Sequence, residues 1–234
     1  MIENAKMVWA KMKREIDIKD ISDGKLYGLN DMVKADCHDC AGCSACCHGM
    51  GDSIVLDPMD LYGLIKGTGL GFSELLEQYL ELGVVDGIIL PHLAMKGEGE
   101  ACRFLNSQGR CSIHGYRPGI CRLFPLGRIY EDGGVKYFLQ IHECARENRS
   151  KIKVKKWLDV PESKRYEQFI LDWHYFLNDL EEQISVRTEE YHKNCNMLLL
   201  NTFFVTPYDV EADFYEQFYE RFSRVRQELF DYCP

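Results

Sequence analysis

The stretch Cys37-His38-Asp39-Cys40-Ala41-Gly42-Cys43-Ser44-Ala45-Cys46-Cys47 places five cysteines within eleven residues, four at three-residue steps and the fifth directly after the fourth. Packing does not require thiols at that density. Metals do: thiolates are the ligands that zinc, copper(I) and iron–sulfur clusters select, and C-x2-C is the usual spacing for two of them to reach one centre. Adjacent side chains on an extended backbone point to opposite sides, so Cys46 and Cys47 fit a single tetrahedral ion poorly. A second set stands downstream: Cys102, Cys111, Cys121 and Cys144. With Cys40, Cys43, Cys46 and Cys47 these make eight thiols. That is enough for two four-cysteine centres or one larger cluster, with Cys37 as a candidate ninth.

Cys37, Cys40, Cys43 and Cys47 match the C-x2-C-x2-C-x3-C run of bacterial ferredoxins. Here, however, His48 replaces the proline that follows, and the run occurs once. The match points to iron–sulfur chemistry without a ferredoxin fold. No downstream C-x2-C or H-x3-H pair completes a zinc finger. Cys195 and Cys233 read as inert thiols. Between Gly97 and Val135 every basic residue is an arginine: Arg103, Arg110, Arg117, Arg122 and Arg128. Guanidinium groups donate several hydrogen bonds to sulfur or to an anion, and Arg117 and Arg122 are expected to support the thiolates from behind.

The chain has 234 residues, enough to bury a core without metal staples. A net charge of −9 argues against nucleic acid as the main partner. The N-terminal twenty residues carry charges throughout and do not read as a secretory signal. The longest apolar run, Met197 to Val205, is too short to span a bilayer. A cytoplasmic, non-membrane protein is expected, and in a reducing compartment eleven cysteines are better metal ligands or redox groups than disulfides.

Periodicity places a helix over residues 3–18 and another after the N-cap pair Asp57-Pro58. A third follows Ser73, with Gly83 as its stop. Val84 to Met95 reads as extended. Two hairpins follow, 102–113 around Asn106-Ser107-Gln108-Gly109 and 126–141 around Glu131-Asp132-Gly133-Gly134. The run Arg149 to Lys156 alternates like an edge strand, solvated or docking an acidic partner. From Pro161 the chain turns helical, with an apolar stripe from Tyr166 through Trp173 to Leu180. A last amphipathic helix after Pro207 carries Phe214, Phe218 and Phe222. The expectation is an α+β fold: one compact unit over 1–234, with a cysteine-rich metal-binding region over 37–146 and a helical part over 157–234. N- and C-terminal helices would wrap the middle.

The pattern Cys40-x2-Cys43-x2-Cys46-Cys47, Cys102-x-Phe104-Leu105, Gly109-x-Cys111-x-Ile113, Arg117-Pro118-x2-Cys121-Arg122-x-Phe124-Pro125 and Cys144 resembles the CxxCxxCC family of zinc- or iron-chelating proteins. The resemblance implies eight ligand positions. His114 stands where the family carries an aromatic residue, placing an extra polar group near the site. Flagellin lysine N-methylases carry a similar cluster, which implies an S-adenosylmethionine-dependent methyltransferase as one analogy.

Iron–sulfur is expected over zinc, as two 4Fe-4S centres or one larger cluster. The activity would be electron transfer to or from a protein partner, or cluster-dependent catalysis. The competing class is a structural zinc module that binds another protein.

Overall fold

The Asp86-Gly87 pair does more to shape the middle of the chain than any helix signal. In the computed structural model, which describes residues 7–9, 12–14, 18–38, 41, 43–131, 133–146 and 148–231, both residues have positive φ, 49° and 83°. That is the backbone of a two-residue hairpin turn whose twist matches its strands. It joins β4 (Leu80–Val85) to β5 (Ile88–Leu93) in continuous antiparallel register. Residues 80–82, expected to be helical, are therefore strand, and Gly83 sits within β4 instead of stopping a helix. The preceding helix α3 (Phe72–Gln78) starts at Gly71, whose N–H is capped by the Glu74 carboxylate. Ser73 lies inside it.

Ahead of these, α2 (Pro58–Thr68) begins as expected. Asp57 and Asp60 form a reciprocal capping box, Pro58 occupies the first turn, and Gly69 ends the helix in the left-handed conformation. The stretch 54–56 lies along the free side of β5, with the Leu56 N–H donating to the Pro91 carbonyl and the Leu93 N–H to that of Ile54.

The N-terminal helix over 3–18 is not found. Its described residues pair as β1 (Met7–Trp9) with β2 (Met12–Arg14), and the nearest helix is the single turn α1 (Ile18–Ile21). Residues such as Val8 and Trp9 favour extended backbone, and a short window cannot separate the two periods. Among the described residues the wrapping helices lie at the C-terminal end.

Ahead of the cysteine stretch lies β3 (Met32–Asp36), which pairs with β10 (Ser150–Lys153). The RSKIKVKK run is thus half strand; from Val154 it becomes α5 (Val154–Leu158). The 102–113 hairpin shrinks to a turn with a single Leu105–Cys111 bridge, because β7 (Ala101–Cys102) pairs with β6 (Met95–Lys96). Next comes α4 (Gly119–Leu123), a helix too short to have been read from periodicity. The second hairpin forms as expected from β8 (Leu126–Glu131) and β9 (Gly134–Leu139). Gly127 faces Phe138 across it, and a Cβ there would collide with that fully buried ring. Gly127→Ala should therefore lower the urea midpoint, at a cost of about 1–3 kcal/mol.

The helical layer is α6 (Ser163–Ser185), α7 (Glu189–Leu200) with a π turn at Asn201–Val205, and α8 (Phe214–Arg226). Phe169, Phe176, Phe203 and Phe218 are fully buried in the main core, which also takes in Leu61, Leu64, Cys102 and Phe104. Each such side chain contributes roughly 1.5–3 kcal/mol. A second core gathers Val33, Leu126, Tyr137 and Trp157. Among the described residues no helix is long and apolar enough to cross a membrane.

On α6, His174 stacks on Tyr130 with ring centroids 3.8 Å apart and planes at 7°. Burial, helped by the Arg128 charge, pulls its imidazole down to about 4. An unfolded histidine protonates near ~6.5, so between there and about 4 the unfolded state holds the extra proton and stability falls as pH drops. Allowing for partial exposure, about 1–2 kcal/mol is expected. Urea titrations from neutral pH downward should show a shallower loss in His174→Phe; an unchanged slope would clear His174 of any part in it.

Candidate metal centre

Three segments remote in sequence bring thiols to one place. Cys43, Cys46 and Cys47 come from the first; Cys102 and Cys111 come from β7 and the turn after it; Cys121 comes from α4. All six line one cavity of about 340 Å³. The vicinal pair reaches it because Ala45–Cys47 is a 3-10 turn, not extended backbone. Successive side chains there are separated by about 120°, so neighbours can face one space. The objection raised by an extended backbone does not apply.

The other expected ligands are placed differently. Cys40 lies outside the described residues, as does Cys233. Cys144 is half-buried beside Glu143, a residue of the cavity wall, but does not itself line the wall. Cys37 is buried at 5% exposure in the second core and does not line the cavity. Cys195 is buried in α7.

The thiols feel one another. Burial pushes Cys102, Cys111 and Cys121 up, Cys121 furthest, and neighbouring thiolates add to the shift at each. Within the vicinal pair, a hydrogen bond from Cys47 holds Cys46 down at about 7 and drives Cys47 upward. Crowded, desolvated thiols of this kind ionise together only when a cation joins them.

Arginines complete the surroundings. Arg117 Nη1 donates to His114 Nε2 at 2.5 Å, which fixes the histidine proton on Nδ1; both residues line the cavity. The Arg117 Nε is buried without a partner, and so are Arg103 Nε, Arg146 Nε and two nitrogens of Arg149. Of these only Arg117 lines the cavity. Buried donors normally find acceptors, and a negative thiolate assembly would supply one to its Nε. Arg122 is engaged elsewhere, donating to the carbonyls of Gly115, Arg117 and Asp159, and so clasps the loop that carries Arg117.

The donor set fits a thiolate-held metal group. Among the described residues no three His, Cys, Asp or Glu side chains are gathered tightly enough to hold an ion. The thiols instead surround a space larger than the closed site of one zinc, whose sulfurs lie about 2.3 Å from it.

Sequence reasoning missed what holds α4 in place. Asp60, 8% exposed, uses Oδ2 in the α2 capping box, while Oδ1 accepts from the Gly119 N–H at 2.6 Å. The helix carrying Cys121 is thereby pinned to α2. The Asp57-Pro58-x-Asp60 pattern signals the cap but not the second bond. Met50, Ser53, Gln140 and Glu143 also line the cavity, with no signal in the sequence.

A thiol-lined cavity backed by arginines defines a metal-chelating domain. Residues 39–152 match the CxxCxxCC family model, described as a "putative zinc- or iron-chelating domain", so the resemblance in the motifs is borne out over that stretch. No curated protein and no solved structure matches the chain.

Proposed function

We propose that this protein binds an iron–sulfur assembly through Cys43, Cys46, Cys47, Cys102, Cys111 and Cys121, with Cys40 and Cys144 completing eight ligands. The carrying observation is the convergence of six thiols from three segments on one cavity. Such a group would supply one-electron redox chemistry. In this reading the chain's own residues bind it, keep the thiolates desolvated, and neutralise them with Arg117. The activity is electron exchange with a protein partner or support of a cluster-dependent reaction. The family description names zinc as well as iron, and zinc would make the domain a structural module.

Anaerobic purification separates the two. The iron–sulfur reading expects brown protein with iron and acid-labile sulfide, its broad visible absorption bleached by dithionite. Colourless protein with stoichiometric zinc and neither iron nor sulfide would overturn it. Calorimetry with S-adenosylmethionine tests the methyltransferase analogy, and no heat of binding would remove it.

A further inference from the structure

A second cavity, of about 160 Å³, shares the α4 wall with the thiol cavity, and Ile120 lines both. Its sides are mostly apolar, including Leu56, Leu90, Ile170 and Trp173, with a few polar groups among them. That mixture is typical of small-molecule sites. An apolar cavity of about 150 Å³ holds a benzene ring, so the space suits a molecule of a few carbons.

The polar group of interest is Arg128. Its one hydrogen bond is Nη1 to the Tyr166 hydroxyl at 3.3 Å, and the Tyr130 ring lies 5.9 Å away. No carboxylate of a described residue comes within ion-pairing distance of it. The two nearest acids are already committed: Asp57 accepts from the Asp60 N–H, and Asp60 accepts from the N–H groups of Asp57 and Gly119. Buried charges are ordinarily paired, and a guanidinium fork matches a carboxylate in shape. Burial pushes the Asp57 and Asp60 carboxyls up toward their neutral forms, Asp60 furthest, which leaves the guanidinium charge for a single negative charge to balance.

We propose that this cavity binds a small monocarboxylate with a short apolar body, its carboxylate seated on Arg128. Asp86 also lines the cavity and offers an acceptor to an ammonium group. An apolar amino acid and the corresponding plain acid therefore share the chemistry. The inference does not depend on which metal the thiols hold.

Calorimetry on the full chain as purified, with leucine, 3-methylbutanoate, 3-methylbutylamine and 3-methylbutanol as probes, tests it. Saturable binding is expected from one or both carboxylates, and none from the amine or the alcohol. Preference for leucine would identify the amino acid as the source, and preference for 3-methylbutanoate the plain acid. Arg128→Gln should weaken binding by about tenfold or more, the scale of a lost charge-assisted hydrogen bond. Should that variant fail to fold, Leu177→Trp fills the cavity while keeping the guanidinium. It should abolish binding with circular dichroism and metal content unchanged. No response to either carboxylate, an equal response to the alcohol, or undiminished binding in a folded variant would overturn the proposal.

Discussion

Cys121→Ser should strip the chain of most of its bound metal. Cys121 is the one cavity thiol carried on a helix, and α4 holds it against the main core. Serine offers a hydroxyl where the metal requires a soft, ionised sulfur. Loss of groups that merely support a ligand costs about 10–100-fold in metal affinity, and loss of a ligand should cost more. Iron, sulfide and zinc per chain, measured after anaerobic purification, give the result directly. Two controls make it specific. Cys195→Ser lies in α7 outside the cavity and should leave metal content unchanged. Cys37→Ser, in the second core, should lower stability without lowering metal. Full metal in Cys121→Ser would exclude that thiol from the site; reduced metal in Cys37→Ser would restore the ninth ligand.

The second large effect is expected at Asp60, which touches no thiol. Asp60→Ala removes half of the α2 capping box and leaves the buried Gly119 N–H without an acceptor. A lost cap costs about 1 kcal/mol and an orphaned buried donor about 1–3 more, so a total of roughly 2–4 kcal/mol is expected in denaturant titrations. Because Gly119 opens α4, metal retention under a competing chelator should also weaken. Asp60→Asn keeps one carbonyl oxygen that can accept from Gly119 and should recover part of both losses. Faster metal loss from Asp60→Ala at temperatures where it remains fully folded is the signature of positioning. Unaltered chelator kinetics there would confine Asp60 to stability.

Where the sequence was legible, one local rule acted alone. Asp57-Pro58 announced α2, the Gly-Gly turn announced the β8–β9 hairpin, and aromatic spacing announced α6 and α8. The misreadings arose where two rules competed. Over 79–83 an apolar helical period overlapped a strand period, and the Asp86-Gly87 turn decided between them. At Met7–Trp9 and Met12–Arg14 the same ambiguity was resolved toward strand. The site was legible as residue types, since density and spacing mark the cysteines whatever the fold. Its shape was not. That Cys46 and Cys47 share a space depends on a single 3-10 turn, and that Arg122 turns to backbone carbonyls while Arg117 keeps a bare nitrogen depends on contacts made across the fold.

The cavity also dictates an order of events in the life of the chain. Its described thiols run from position 43 to position 121, and the core behind Cys102 and Phe104 is finished by α6, α7 and α8, whose last buried residues lie beyond 220. On a ribosome the first four-cysteine motif emerges long before its walls exist. The finished pocket therefore needs residues that are synthesised well after its first thiols. Once seated, that cargo ties together segments that the unfolded polymer would hold far apart. It restricts the denatured chain as a covalent cross-link between the same points would. Removing the metal should therefore lower the denaturation midpoint of the chain.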